Sequence, residues 1–146
     1  MTGSYRILED VALADTAFEA IGDGPAELCD TAARALMELM ANPTSIGTIW
    51  TAPVECEADT LDELLFDWLN RLVFLKDAHS VLFHHAQVSV SEPPNSPRWY
   101  LRATVFGAPV DPTTQELRAD VKAVTKHLYE VSPVGRRWRA RVILDV

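Results

Sequence analysis

The last segment of the chain shows a regular alternation of apolar and charged positions. The apolar set is Trp138, Ala140, Val142 and Leu144, and the charged set is Arg137, Arg139, Arg141 and Asp145. A period of two residues is typical of a β-strand that buries one face. We therefore expect this strand to dock the end of the chain against the core, with Asp145 and the carboxyl group of Val146 held close together.

Two stretches have the three- and four-residue spacing of an amphipathic helix. The first, Pro25–Met40, follows a glycine-rich turn and ends before Asn42-Pro43, because proline cannot continue a helix. The second begins after Thr60, which forms a capping-box pattern with Glu63. Both helices are apolar on one side only, which predicts that they pack against a sheet.

The remaining predicted elements are strands. In chain order they are Tyr5–Glu9, Leu13–Ile21, Ile46–Cys56, Val81–Val90, Arg98–Phe106 and Asp120–Val131. Pro53 places the third of them at a sheet edge or a bulge. No regular β-α-β alternation occurs, so the pattern predicts an α+β fold, with a largely antiparallel sheet of about seven strands and two amphipathic helices on one face. Residues 1–146 show no internal repeat or linker and are expected to form one domain.

The last two predicted strands are joined by a short link that is typical of an antiparallel hairpin. A turn centred near Val134 would pair Ala123 with Asp145 and place Lys122 beside Asp145. A slip in register by one residue would change the face on which each side chain lies. Spacing alone favours a simple salt bridge on the surface over a functional site.

Composition limits the classes of function. Hydrophobic residues make up 48% of the chain and charged residues 23%, as in a folded globular protein, and the formal net charge is −8. An acidic surface repels phosphates, which argues against independent binding of nucleic acid, although the arginines at 137, 139 and 141 leave a local contact open. The absence of a leader and of long apolar runs predicts a cytoplasmic protein without a membrane contact.

The sequence offers little support for independent catalysis. It contains no GxSxG, HExxH or cysteine-nucleophile motif. Cys29 and Cys56 lack metal-binding spacing and are expected to be buried thiols. His79, His84 and His85 have no ligand spacing either, and we interpret them as loop and strand-edge residues.

Several motifs occur in an order that points to one family. The segments Asp120–His127 (DVKAVTKH) and Trp138–Val146 (WRARVILDV) are similar to a VKAVTYH strand and a WxxxVxxD ending. Gly107–Pro112 matches a G-x-P-x-D-P turn, and Tyr5–Glu9 followed by Ala14-Asp15 is similar to the corresponding N-terminal segment. In this order and spacing the motifs resemble the archease family over nearly the whole chain.

The resemblance implies a non-catalytic accessory protein that activates an RtcB-type RNA ligase in tRNA splicing and RNA repair. Such a protein promotes guanylylation and multiple turnover of the ligase and contacts RNA only through it. The resemblance also implies a divalent-cation site at Asp15, Asp145 and Val146, with Lys122 and His127 in partner-binding or site-organising roles. Oxygen ligands of this kind suit Ca²⁺ in the first place, with Mg²⁺ or Mn²⁺ as alternatives. Neither the RNA substrates nor the oligomeric state follow from the sequence.

The chain departs from the family pattern at two places. Glu9–Asp15 is two residues longer than the family's D-H-T-A-D segment and lacks its His-Thr, which makes Asp10 an alternative to Asp15 as the N-terminal ligand. Lys126 stands where the family usually has tyrosine. The acids could also be solvated without a cation.

Two other functions remain open on the sequence. The same carboxylates could serve a metal-dependent hydrolase or nuclease, which would turn over without a partner. Alternatively, the face formed by Arg137, Arg139 and Arg141 could serve a general chaperone that binds RNA or protein.

Overall fold

The computed structural model describes the backbone of residues 3–12 and 15–146, and the side chains of residues 3–8 and 15–146. In chain order the elements are β1 (Ser4–Ala12), β2 (Asp15–Gly22), α1 (Pro25–Met40), a 3-10 turn (Pro43–Ser45), β3 (Trp50–Ala58), α2 (Leu61–His79), β4 (Val81–Ser91), β5 (Trp99–Pro109), β6 (Ala123–Val134) and β7 (Arg137–Asp145). The α+β class with antiparallel strands is confirmed. The predicted strand start at Leu13 and Ala14 lies outside the described residues.

The strands form two antiparallel sheets, a division that the sequence pattern did not contain. The first sheet has the order β1-β2-β7-β6, and the second has the order β3-β5-β4. Each helix contacts both sheets, so the helices join the sheets rather than cover one continuous face. Pro53 lies in β3, which is an edge strand as predicted. No helix among residues 3–12 and 15–146 is long and apolar enough to cross a membrane.

Local signals set the ends of the helices. Thr60 Oγ1 accepts a hydrogen bond from the Glu63 N–H (3.3 Å), as the capping pattern predicted, and Ser80, the residue after α2, has the left-handed conformation. The two helices are joined in the core, where the buried Trp68 Nε1–H donates to the Cys29 carbonyl (3.1 Å). Cys29 and Cys56 are buried free thiols, and burial raises the pKa of Cys29 to about 12.

Two strands begin three or four residues later than the sequence indicated. The strand expected from Ile46 starts at Trp50, and the Ile46 N–H instead donates to the Pro43 carbonyl of the 3-10 turn (3.1 Å). The strand expected from Asp120 starts at Ala123. The Asp120 side chain instead accepts a hydrogen bond from Lys76 of α2 (2.8 Å).

β7 docks the end of the chain as its alternation predicted. Ala140, Val142 and Leu144 are fully buried, and Val146 packs against the same core. Ile143 is also buried, at 1% exposure, although it lies on the opposite face of the strand. The strand therefore occupies a central position in the first sheet, between β2 and β6.

The pairing at the open end of the β6–β7 hairpin is the predicted one, with Ala123 opposite Asp145. The turn itself lies at Gly135 and Arg136, with Gly135 at φ +62°, and the predicted centre near Val134 was wrong. An irregular stretch of β6 offsets this difference. From Thr125 to Glu130, β6 advances by five residues while β7 advances by two, from Ile143 to Arg141. Leu128 lies in this stretch and has φ +53°.

Candidate metal and partner-binding site

Two of the predicted cation ligands are direct cross-strand neighbours. Asp15 opens β2 and lies opposite Asp145 in β7, while Ala123 of β6 lies on the other side of Asp145. Side chains of directly opposite residues have Cβ atoms about 4.5–5.5 Å apart. Both aspartates are partly buried. Positions distant in the sequence are thus brought to one end of the first sheet, which we call the carboxylate end.

The main chain holds two more predicted residues at the carboxylate end. The Lys122 N–H donates to the Asp145 carbonyl (2.8 Å), which places the exposed Lys122 beside Asp145 as the hairpin predicted. Val121 is fully buried and anchors this segment. Val146 follows Asp145 directly and packs against the core.

The structure separates His127 from the strand ladder. It lies in the irregular stretch of β6 between Thr125 and Glu130, where residues have no register partner in β7, and it is exposed. Its neighbour Lys126 places its ammonium 4.2 Å from the centre of the Phe66 ring on α2. This stretch therefore leaves His127 exposed and does not aim it at the aspartate pair through strand pairing.

The carboxylate end supplies only part of the set of oxygen ligands that a hard cation binds. Two aspartates and a main-chain oxygen of Val146 supply oxygen atoms, which fit Ca²⁺, Mg²⁺ or Mn²⁺ better than zinc. Within the described side chains, no group of three or more His, Cys, Asp and Glu residues could hold a metal. The side chain of Asp10, the alternative ligand, lies outside that set. Like charges directly opposite each other are destabilising, and a cation would relieve this repulsion.

The arginine face of β7 is not a free basic surface. Arg137 Nε lies 2.7 Å from Asp23 Oδ1. Arg139 and Arg141 lie 3.3 and 3.4 Å from the two oxygens of Glu130. Each guanidinium thus has a carboxylate partner in the folded chain. These ion pairs partly neutralise the face that a general chaperone would use to bind RNA or protein.

Sequence spacing did not reveal a histidine pair on β4. A register shift between Phe83 and His85 brings the His84 and His85 rings together, with Nδ1 atoms 2.7 Å apart. The His85 ring also stacks on Phe106 at 4.5 Å between centres. Burial, and then the charge of His84, lower the pKa of His85. The only sequence signal was the His-His dipeptide, whose side chains would point to opposite faces in a regular strand.

Comparison with known proteins agrees with the fold. The Archease protein family (MTH1598/TM1083) matches residues 5–146. "Protein archease" of Methanopyrus kandleri is 32% identical over 133 residues, which cover 91% of this chain and 94% of that protein. "Protein archease" of Archaeoglobus fulgidus is 29% identical over 143 residues, covering 97% and 98%.

Two solved structures are also similar to this chain. The solution structure of protein 1598 from Methanobacterium thermoautotrophicum has a TM-score of 0.80 and 28% identity, and covers 97% of this chain and 98% of that one. The crystal structure of an archease from Thermotoga maritima, described as a possible chaperone, has a TM-score of 0.65 and 20% identity over 92% and 93% of the two chains. The second likeness concerns the fold alone.

Proposed function

The chain belongs to the archease family, and from this premise we propose that it is a non-catalytic accessory protein that activates an RtcB-type RNA ligase in tRNA splicing and RNA repair. In this role it promotes guanylylation of the ligase and its repeated turnover. RNA is contacted through the ligase, which is consistent with the net charge of −8 and with the ion-paired arginines of β7.

One observation carries the proposal. The positions that match the family's site residues, Asp15, Lys122 and Asp145, converge at the carboxylate end through the pairing of β2 with β7 and the Lys122 N–H bond to Asp145. Nothing in the hydrophobic pattern requires two aspartates to face each other there. A functional need for the pair explains why its repulsion is tolerated.

Each residue has a chemical role in this proposal. Asp15, Asp145 and the main-chain oxygen of Val146 bind the cation. When bound, the cation neutralises the aspartates and offers open coordination positions to a group of the ligase. Lys122 is exposed and held by its main chain, so its ammonium can meet a carboxylate or phosphate of the partner complex. The docked strand β7 keeps these groups in a fixed arrangement.

The test is RNA ligation with the ligase from the same cell at substoichiometric concentration, with GTP and Mn²⁺, with and without this protein. We expect the protein to convert a single turnover into repeated turnover. Asp15→Asn, Lys122→Ala and Asp145→Asn should lose this effect, while Glu92→Gln, an exposed acid outside the site, should retain it.

Two results would contradict the proposal. A folded protein that leaves the ligase at one turnover would have the family's fold without its function. RNA hydrolysis by this protein alone, lost in Asp145→Asn, would instead support a metal-dependent hydrolase or nuclease that uses the same carboxylates.

A further inference from the structure

An inserted residue in β4 brings two adjacent histidines together. Phe83 lies opposite Gly107 of β5, and two residues later His85 lies opposite Phe106. β4 therefore carries one residue more than β5 at this point, and His84 is the inserted one. Such β-bulges occur preferentially on edge strands, as β4 is, and often redirect side chains near functional sites. The Nδ1 atoms of His84 and His85 consequently lie 2.7 Å apart, and we call the two rings the histidine pair.

Close packing holds the histidine pair in its arrangement. The His85 ring lies nearly parallel to the Phe106 ring, with centres 4.5 Å apart and planes 6° apart. The His84 ring meets the His85 ring at 78°, with centres 4.9 Å apart. Gly107 permits the close approach of the two strands, because a Cβ added there would overlap the Leu82 carbonyl oxygen. The two Nδ1 atoms are therefore brought together by the fold itself.

The histidine pair lines a cavity of about 190 Å³. The other lining residues come from β1, α1 and the 3-10 turn, and they are Tyr5, Arg34, Met37, Glu38 and Pro43. The formal charges of Arg34 and Glu38 cancel, so net charge does not select a ligand here. A cavity of this size has room for an ion and several waters. The chemistry of the two ring nitrogens therefore decides what binds.

Two imidazole nitrogens this close together can share either a proton or a metal ion. One Nδ1 must carry a hydrogen atom for the two rings to form a hydrogen bond. If that ring instead carries its hydrogen atom on Nε2, by exchange with water, both Nδ1 lone pairs become available. Both rings stay neutral in this exchange, so the pair can bind a cation without losing a proton.

The distance between the nitrogens favours one type of coordination. Two nitrogens bound to one metal ion at about 2.0–2.1 Å lie about 2.9 Å apart at a right angle and about 3.3–3.4 Å apart at the tetrahedral angle. The observed 2.7 Å is closer to the right-angle value, which a small rotation of the rings would reach. Right angles are typical of tetragonal Cu²⁺ and Ni²⁺ sites, whereas structural zinc is tetrahedral. Ca²⁺ binds oxygen ligands and does not suit this pair.

We propose that His84 and His85 form a second metal site, in which their Nδ1 atoms chelate one Cu²⁺ or Ni²⁺ ion and water fills the remaining positions. Within the described side chains, no third His, Cys, Asp or Glu completes the ligand set. The site is separate from the carboxylate end, because β4 belongs to the second sheet and the Asp15–Asp145 pair belongs to the first. The inference does not depend on an RNA ligase as partner.

The test is calorimetric titration of the untagged full-length protein with Ni²⁺ and with Cu²⁺, in excess Ca²⁺ so that the carboxylate end is occupied. We expect one ion per chain. His84→Gln and His85→Gln should each weaken binding by at least about tenfold, since even changes next to metal ligands cost that much. His79→Gln should bind as the wild type does, because His79 is an exposed histidine at the end of α2. Circular dichroism in EDTA shows whether each variant is folded.

The electron paramagnetic resonance spectrum of bound Cu²⁺ gives a readout on the wild-type protein, which decides the question even if a variant unfolds. Coupling of the copper to two nitrogens, reduced to one in either folded variant, supports the chelate. A spectrum without nitrogen coupling would mean that the histidine pair is only hydrogen-bonded. Equal affinity in the wild type and both folded variants, or loss of binding in His79→Gln, would also overturn the inference. Ligase activation is measured by RNA turnover and stands or falls separately.

Discussion

Replacement of Asp145 by asparagine is expected to stabilise the metal-free protein. Asp15 and Asp145 lie directly opposite each other in adjacent strands. Two unit charges about 6 Å apart repel by ~0.7 kcal/mol in bulk water and ~2.8 kcal/mol at an effective dielectric constant of about 20. Both groups are only partly buried, so the lower value applies, in agreement with cross-strand pair energies of about 0.2–1 kcal/mol. The asparagine side chain would keep the shape of the aspartate and remove the repulsion.

Calcium is expected to reverse the order of stability. A ligand at about a hundred times its dissociation constant adds about 2.7 kcal/mol to the free energy of unfolding. In a protein of this size about 1 kcal/mol corresponds to about 2–4 °C in Tm, so the wild-type Tm should rise by roughly 5–10 °C. Asp145→Asn should show no such rise. It is thus the more stable protein in EDTA and the less stable one in saturating Ca²⁺.

The assay is thermal unfolding followed by circular dichroism, in EDTA and along a Ca²⁺ titration. Asp15→Asn should behave like Asp145→Asn, and Glu92→Gln should behave like the wild type. A loss of more than about 1 kcal/mol in EDTA would mean that Asp145 has a structural role, against the electrostatic reasoning. If Ca²⁺ raises the Tm of Asp145→Asn as much as that of the wild type, Asp145 is not a ligand of the cation. A shift kept in Asp15→Asn and lost in Asp10→Asn would assign the N-terminal ligand to Asp10.

Three further predictions concern the fold. Trp68→Phe should lower the free energy of unfolding in urea by about 1–3 kcal/mol, because a buried hydrogen bond between the helices is lost; a change below about 0.5 kcal/mol would show that the bond contributes little. Gly107→Ala should lower the free energy of unfolding by about 1–3 kcal/mol, because the added Cβ would overlap the Leu82 carbonyl oxygen of β4. Gly24→Ala is the control, because a Cβ added at Gly24 meets nothing within 4 Å. The pKa of His85 is lowered from 6.5 in the folded protein, so as the pH falls the unfolded chain binds a proton at His85 before the folded chain does. Protonation therefore lowers the free energy of unfolding as the pH falls below about 6.5. The wild-type Tm should therefore drop between about pH 7.5 and 5 by more than that of His85→Gln, and equal drops would exclude the contribution of the His84–His85 pair.

Several features of the fold follow from short stretches of sequence. The alternation in β7 predicted its docking, and the three- and four-residue spacing predicted both helices. Pro53 predicted an edge strand or a bulge, and β3 is an edge strand. The capping pattern at Thr60 predicted the start of α2. Each of these signals is local, because burial of one face and satisfaction of helix-end N–H groups depend on residues within a few positions.

The candidate site depended on both kinds of information. The hairpin pattern correctly predicted that Lys122 lies beside Asp145, although the turn lies later than expected. The pairing is still the predicted one because an irregular stretch of β6 compensates for the later turn. Asp15 was assigned to the same site only through the family resemblance. Its position opposite Asp145 results from the pairing of β2 with β7, strands more than a hundred residues apart.

The remaining features were decided by the tertiary structure. Periodicity states that a strand has a buried face but not which strand lies beside it, so the sequence could not divide the strands into two sheets. For the same reason it could not show that Asp23 and Glu130 pair with the arginines of β7, or that a bulge turns His84 towards His85. A pocket of about 450 Å³ likewise forms only where the ends of both helices meet residues 117–120. Local pattern determined the elements of this protein, and long-range packing determined which side chains became neighbours.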